Sequence, residues 1–281
     1  MNTQRTVIAP RTASRPAFTD SLTLRYGPLE KLGRFFLLSE ERMAKLGLSL
    51  SFGTFDELTA ANRANSKTWR PLLPSFDPAL SELREDDAFC IFGRDSGGNI
   101  VATQAVRLFS WTDTNFLAEA ENLRLFYADP ASARGENERC IVTAETTRAI
   151  DGRVLFSGAG WYRPDYRGKG LGELMPRIAR MYALSHWYID FAICIMAEGV
   201  VKGGFPERAG YRHVDWELSM QQMPVFREGI VRAAAVWMDT EAALEDLDEM
   251  LARLEGPQID GTIEDIRGHN RNAIRPTGSD R

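Results

Sequence analysis

Apolar residues near the start of the chain recur at the spacing of one helix face. Leu29, Leu32, Phe36, Met43 and Leu46 follow one another at intervals of three, four and seven residues, and the glycine after Leu46 is typical of a helix end. The pattern predicts an N-terminal arm followed by a helix. We expect this helix to pack on the core or on a partner subunit, so that a homodimer is a further expectation.

Strand patterns follow directly. Residues 48–53 alternate between polar and apolar types, and Thr54 is a suitable N-cap for a helix that runs to about Arg63. Two runs rich in β-forming residues, 88–93 and 100–109, flank a Gly-Gly-Asn turn and predict a hairpin. Residues 111–140 then interrupt the strands with a predicted helix over 116–128 and a polar loop.

The second half of the chain is more regular. It predicts a strand over 153–162, a helix up to residue 187, a strand buried on both faces at 191–197, a short broken helix, a pair of strands at 211–220 and 230–238, and a last helix capped by Asp239 or Thr240. Residues 140–150 are ambiguous between strand and helix. The tail from Gly256 is polar and predicts a mobile segment.

Composition excludes several classes of protein. The chain has 281 residues, of which 44% are hydrophobic and 26% charged, as in soluble globular proteins, and no apolar run is long enough to span a membrane. A net charge of -5 argues against a nucleic-acid partner. Cys90, Cys140 and Cys194 lack the spacing of a disulfide framework or a metal site. We therefore expect a cytoplasmic protein without a metal.

Three alternate glycines stand in front of the predicted helix in the sequence RPDYRGKGLGEL. Gly168, Gly170 and Gly172 do not form a P-loop, because Gly170 follows Lys169 where a P-loop needs Ser or Thr. Their spacing, GxGxG, also differs from the dinucleotide-binding fingerprint, GxGxxG. What remains is a set of backbone N–H groups at a helix N-terminus, where an anion such as a pyrophosphate is stabilised.

These residues resemble a known family. The sequence RGKGLG at 167–172 is similar to the Arg/Gln-x-x-Gly-x-Gly/Ala pyrophosphate loop of the GNAT superfamily of N-acetyltransferases, and the order of elements over 48–239 resembles the family as well. The resemblance implies an α/β (α+β) fold with a mixed, mostly antiparallel sheet of about six to seven strands flanked by helices. It divides the chain into an arm and helix (1–47), the acyltransferase domain (48–239) and a helix with a tail (240–281).

The resemblance also implies acetyl-CoA as the acyl donor. Its pyrophosphate would lie on the backbone amides of residues 167–172, and the strand end at 160–162 would pair with the pantetheine arm and present an amide to the thioester carbonyl. The 153–162 strand should be splayed from the 191–197 strand to admit the donor. The implied donor-binding residues are Trp161, Tyr162, Arg167, Gly168, Lys169, Gly170, Leu171 and Gly172.

Direct transfer to an amine needs a group that accepts a proton and a group that donates one to the leaving thiolate. Glu198, at the end of the buried strand, is the preferred base, with Glu145 as the alternative. Many family members carry a tyrosine as the acid, but Pro206 occupies that position here. The substitutes are Tyr211, Tyr162 or water. Because no covalent intermediate is required, Cys194 is interpreted as a buried strand residue.

The sequence therefore predicts an N-acetyltransferase that acts on the primary amine of a small molecule. Gly158 and Gly160 lie on one face of a strand and fit either close packing or a cavity for an acyl chain or acceptor. The alternatives are a long-chain acyltransferase of the acyl-homoserine-lactone or N-acyl amino acid synthase kind, and a non-catalytic acyl-CoA-binding module. Residues 54–75, the 111–140 insertion and the segment after Glu198 should determine the acceptor.

Overall fold

The computed structural model describes residues 17–227 and 229–256. These residues form one mixed sheet of eight strands. The strands are β1 (Ser49–Gly53), β2 (Ala88–Arg94), β3 (Ile100–Trp111), β4 (Arg139–Val142), β5 (Gly152–Tyr162), β6 (Phe191–Ala197), β7 (His213–Gln221) and β8 (Ile230–Asp239). Their order in the sheet is β1-β2-β3-β5-β6-β8-β7-β4. The prediction of a mixed α/β fold with helices flanking the sheet is confirmed.

The helices match most of the predicted ones. They are α1 (Leu29–Lys45), α2 (Phe55–Ala64), α3 (Phe116–Glu121), α4 (Pro130–Ala133), α5 (Leu171–Trp187), α6 (Glu198–Lys202), α7 (Phe205–Arg208) and α8 (Thr240–Glu255). The side chains of Thr54 and Asp239 accept hydrogen bonds from the first turns of α2 and α8, so that both predicted caps are present. No helix in the described part of the chain is long and apolar enough to cross a bilayer.

The sheet opens between two neighbouring strands, β5 and β6. All neighbours are antiparallel except β5 and β6, which are parallel and are connected by α5, as a parallel pair requires a crossover. The β5–β6 register ends at the pair Ser157 and Cys194, although β5 continues to Tyr162 and β6 to Ala197. The two strands therefore splay apart beyond this pair, as predicted.

The sheet of the described residues has eight strands, against the six to seven predicted. The eighth strand is β4, which lies at the edge of the sheet and pairs with β7. It has four residues and alternates between exposed and buried positions. A strand this short carries little pattern of its own, and its formation depends on a partner far away in the sequence.

The predicted helix over 116–128 is also corrected by the structure. It ends at Glu121, because Leu123 has a φ of 62°, in the left-handed region that an α-helix cannot contain. Arg124 turns back and forms an ion pair with Glu119 of the helix. The loop that follows contains the single turn α4.

Two hydrophobic clusters cover the two faces of the sheet. The first contains the buried faces of α1, α5 and α8, including Phe35, Phe36 and Leu247. The second contains α3 and the loops around it, including Phe116 and Phe126. The apolar face of α1 thus packs within its own chain, against α5 and α8. A homodimer stays a prediction.

A cluster of charged side chains is buried between the helices of the first hydrophobic cluster. Asp246 of α8 accepts hydrogen bonds from Arg177 and Arg180 of α5, at 2.8 and 2.7 Å for the closest pairs. Arg180 is only 1% exposed, and its Nε and Nη1 atoms have no hydrogen-bond partner within the described residues. Two guanidinium groups therefore share one carboxylate inside the protein.

Candidate active site

The glycine-rich loop between β5 and α5 adopts a backbone that only glycine accepts without strain. Gly168 and Gly170 have φ angles of 77° and 82°, in the left-handed region, and Gly170 is the N-cap of α5. A Cβ atom at either position would meet no protein atom within 4 Å. Backbone conformation, rather than crowding by the protein, is therefore the reason for these two glycines.

Backbone donors at this loop are unused by the protein. Within the described residues, none of the N–H groups of residues 168–172 donates a hydrogen bond to a protein acceptor, whereas the Arg167 N–H donates to the Pro164 carbonyl. The following helix has 17 residues, so its dipole adds to the positive potential of these groups. The loop can bind an anion such as a pyrophosphate. The assignment of residues 167–172 to this group stays a prediction.

The side chains of the loop hold it in place. The Arg167 guanidinium donates to the carbonyl oxygens of Tyr162, at 3.1 Å, and Thr68, at 3.2 Å. The Lys169 ammonium lies 4.5 Å from the centre of the Tyr166 ring. Leu171 is buried at the start of α5. These contacts fix the loop to the end of β5 and to the segment around residue 68.

A β-bulge lies where β5 leaves β6. Ala159 and Gly160 of β5 oppose the single residue Gln104 of β3, and Ala159 has a φ of 52°. The Thr103 hydroxyl donates to the Ala159 carbonyl at 2.7 Å, and the Gln104 amide donates to the Gly158 carbonyl at 3.1 Å. The bulge redirects the β5 backbone at the edge of the opening between the strands.

The two glycines of this bulge region have different surroundings. A Cβ atom at Gly158 would overlap the ring of Phe76, so close packing accounts for this glycine. Gly160 is exposed, and a Cβ atom there would lie 3.2 Å from the Gln104 side-chain oxygen. Both glycines also border the opening between β5 and β6.

A cavity of about 420 Å³ passes between the splayed ends of β5 and β6. This size is typical of sites for small ligands. One half, on the α5 side of the sheet, begins next to the glycine-rich loop and is lined by Tyr162, Pro176, Phe205, Cys194 and Tyr211. The far half, on the other side, is lined by Trp69, Leu72, Leu73, Met220, Phe226 and Val231.

Tyr211 lies at the boundary between the splayed strands. Its hydroxyl interacts with the side chains of Cys194 and Ser157, the last pair of the β5–β6 register. The Ser157 hydroxyl in turn accepts a hydrogen bond of 2.9 Å from Gln104. Burial raises the pKa of Tyr211 well above its ordinary value. The phenol therefore stays protonated at neutral pH and can donate a proton.

The other tyrosine predicted as a possible acid has a different environment. Tyr162 also lines the cavity, but its buried hydroxyl has no hydrogen-bond partner within the described residues. Burial raises its pKa as well. Of the two hydroxyls, that of Tyr211 lies near polar side chains, those of Ser157 and Cys194.

Cys194 is built into the wall of the cavity. Burial raises the pKa of its thiol to about 12, so the nucleophilic thiolate does not form at neutral pH. Its Sγ contacts the Val236 carbonyl at 3.6 Å. Cys90 and Cys140 are buried and free as well. Among the described residues, no group of three or more His, Cys, Asp or Glu side chains is placed to hold a metal.

Neither predicted base lines the cavity. Glu198 begins α6, and its carboxylate pairs with Lys202 at 2.8 Å and Arg232 at 3.6 Å. The hydrogen bond from Lys202 lowers the pKa of Glu198. Glu145 is exposed, and the hydrogen bond from Arg148 lowers its pKa. The base assignment of Glu198 stays a prediction, and it requires a water molecule between the carboxylate and the amine.

Several cavity residues lacked a sequence signal. Trp69 stacks on Trp161 with ring centres 5.0 Å apart, and the Trp161 indole donates to the Thr68 hydroxyl at 3.3 Å. Residues 68–73 therefore form part of the cavity wall, and they lie within the 54–75 segment that is expected to determine the acceptor. The segment after Glu198 contributes Phe205, whereas none of residues 111–140, all of which the structure describes, lines the cavity.

Comparison with known proteins gives similarity at the level of the fold. No family model matches the chain, and no curated protein matches it. Among solved structures, a variant of the spermidine N-acetyltransferase SpeG from Vibrio cholerae is similar with a TM-score of 0.44, at 9% identity over 71% of this chain and 97% of that one. The aminoglycoside acetyltransferase AAC(6')-Ib, in complex with coenzyme A and kanamycin, has a TM-score of 0.42 at 12% identity over 70% of this chain and 98% of that one.

Proposed function

We propose that the chain is a GNAT-type N-acyltransferase that moves an acetyl group from acetyl-CoA to the primary amine of a small molecule. One observation carries the proposal. A helix N-terminus with unused backbone donors lies next to a cavity that passes between two splayed parallel strands. The first feature suits a pyrophosphate, and the second suits an extended arm that must deliver a thioester to an acceptor.

The residues of the loop and of β5 would hold the donor. The N–H groups of residues 168–172 face the pyrophosphate, and the bend of the loop is kept by the two left-handed glycines. Beyond Ser157, the edge of β5 that faces β6 is not paired with it. The carbonyls of Gly158, Ala159 and Tyr162 accept side-chain hydrogen bonds. Other backbone groups on this edge are available to the pantetheine arm, and an amide of the bulge can donate to the thioester oxygen as negative charge develops there.

Transfer then takes place in one direct attack. The neutral amine forms a C–N bond with the thioester carbon, and the C–S bond breaks as the tetrahedral intermediate collapses. Tyr211 donates its proton to the leaving sulfur, and the proton of the amine passes through water to Glu198. This route needs no covalent enzyme intermediate, in agreement with the raised pKa of Cys194.

We expect Glu198→Gln to lower turnover about tenfold, because a general base contributes at least this much and water takes over part of its role. The pKa of Glu198 is lowered, so the wild-type carboxylate stays ionised at pH values where an ordinary glutamate becomes protonated. The contribution of Glu198 to the rate is therefore lost only in more acidic solution. High pH should rescue the variant in part. Steady-state rates across pH check this.

Two further variants sharpen the comparison. Glu145→Gln, measured in parallel, decides between the two candidate bases. Glu241→Gln, in the first turn of α8, removes an exposed carboxylate elsewhere and should leave turnover within twofold. Wild-type turnover of Glu198→Gln at every pH would reject Glu198 as the base.

The proposed function is tested directly by two measurements on the purified chain. Calorimetry with acetyl-CoA reports donor binding, and release of free thiol with a panel of primary amines reports transfer. Binding without thiol release from any amine would instead support a non-catalytic acyl-CoA-binding module. A strong preference for octanoyl-CoA over acetyl-CoA would support a long-chain acyltransferase.

A further inference from the structure

The far half of the cavity is lined largely by apolar side chains. They are two leucines and a tryptophan from residues 69–73, and Met220, Phe226 and Val231 from the β7–β8 hairpin. Among the described residues that line the cavity as a whole, none is an aspartate or a glutamate. The charged side chains of the lining are those of Arg70 and Arg167.

This lining discriminates between kinds of amine. A molecule with several ammonium groups would have to leave water without meeting a carboxylate, which is strongly unfavourable. An alkyl or aromatic body gains from the same surface, by about fourfold in affinity for each methylene buried. The surface therefore favours an acceptor with one amino group and an apolar body.

One wall of the far half is flat and rigid. Trp69 and Trp161 are stacked with their planes 7° apart, and Trp161 is fixed through its indole hydrogen bond to Thr68. Trp161 follows the bulge of β5, at the place where the proposed transfer occurs. An apolar body against this wall holds its amino group toward the bulge.

We propose that the far half of the cavity binds the body of the acceptor, and that the acceptor is a primary monoamine with an aromatic or alkyl body. This inference rests on the proposed function. It narrows the acceptor from any small amine to a class, and polyamines fall outside that class.

The test compares amines with acetyl-CoA as the donor. We expect kcat/KM for 2-phenylethylamine and hexylamine to exceed that for spermidine and butane-1,4-diamine at least tenfold. Leu73→Asp places a carboxylate in the far half and should lower kcat/KM for 2-phenylethylamine at least tenfold. The ratio of kcat/KM for 2-phenylethylamine to kcat/KM for spermidine should then fall or reverse. The matched control is Leu37→Asp, on the outer face of α1, where the leucine is 56% exposed. The control should keep the wild-type ratio.

Folding of each variant is checked by circular dichroism and by its affinity for acetyl-CoA. If Leu73→Asp does not fold, Phe226→Ala replaces it, since Phe226 is half-buried at the cavity and its truncation should weaken the apolar amines alone. The inference would be overturned if the wild-type protein preferred polyamines. It would also be overturned if the cavity variants kept the wild-type ratio of kcat/KM between apolar monoamines and polyamines.

Two other outcomes separate this inference from the proposed function. If acetyl-CoA does not bind and no amine releases thiol, the proposed function fails and the inference fails with it. If the chain transfers octanoyl groups in preference to acetyl groups and Leu73→Asp abolishes that preference, acyl transfer stands. The far half then holds the acyl chain, and the acceptor inference alone is overturned.

Discussion

Tyr211→Phe is expected to lower turnover about a hundredfold while the affinity for acetyl-CoA stays within twofold. A general acid contributes between about 10² and 10⁴ in rate, and the lower end applies because a thiolate is already a moderate leaving group. The phenylalanine ring keeps the contact with the Arg180 guanidinium, which lies 4.9 Å from the ring centre. The variant therefore loses the hydroxyl with little change in packing, and stability should fall by about 1 kcal/mol.

The pH dependence gives a second measurement of the same role. The pKa of Tyr211 is raised by burial, so the acid stays protonated up to and beyond the ordinary tyrosine range, and wild-type activity should show no loss from this group below about pH 10. A matched control is Tyr182→Phe on α5, a buried tyrosine that does not line the cavity. Equal rates for Tyr211→Phe and the control would reject Tyr211 as the acid.

Gly170→Val should weaken acetyl-CoA binding about a hundredfold. The valine side chain would enter the open space in front of α5, where no protein atom lies within 4 Å and where the pyrophosphate is expected. Loss of two charge-assisted hydrogen bonds, at about 1.5 kcal/mol each, corresponds to about this change in affinity. Calorimetric titration with acetyl-CoA measures it.

The strain of the substitution must be separated from the loss of binding. Valine at a φ of 82° costs at least about 1–2 kcal/mol of stability by itself. Gly98, in the turn between β2 and β3, has the same φ of 82°, and a Cβ atom there would also meet no neighbour within 4 Å. Gly98→Val should therefore show a similar loss of thermal stability with unchanged donor affinity. Equal affinities of the two variants would mean that the loop does not bind the donor.

Local signals were sufficient for much of the fold. The Gly-Gly-Asn turn, the Thr54 cap and the glycines before α5 each act on neighbouring residues, so the sequence around them contains the information. The strand β4 could not be recognised in the same way, because its pairing partner β7 lies about 80 residues later and supplies most of its stabilisation. The early end of α3 depends on Leu123, a leucine in the left-handed region, and the preceding Asn122 is the one local residue typical of a helix end.

The glycine-rich loop could be recognised from the sequence because it is one continuous segment, and its role in donor binding stays a prediction. The polar side chains near the opening between β5 and β6 could not be grouped in this way, because Gln104, Ser157 and Tyr211 come from three separate elements. They meet only because the β3–β5 register and the bulge place Gln104 beside Ser157, and the end of the β5–β6 pairing leaves Tyr211 next to both strands. Neither the register nor the length of pairing can be obtained from the pattern of one strand.

The buried arginine pair has a consequence for the electrostatic potential inside the molecule. Arg177 and Arg180 are within ion-pair distance of a single carboxylate among the described residues, Asp246, so one positive charge is left in excess behind the ring of Tyr211. That excess is fixed by packing and shielded from salt. In the proposed reaction it favours negative charge on the departing sulfur and opposes the entry of an amine in its ammonium form. Asp246, which offsets one of the two guanidinium charges, lies on α8, so this helix takes part in setting the excess charge behind Tyr211.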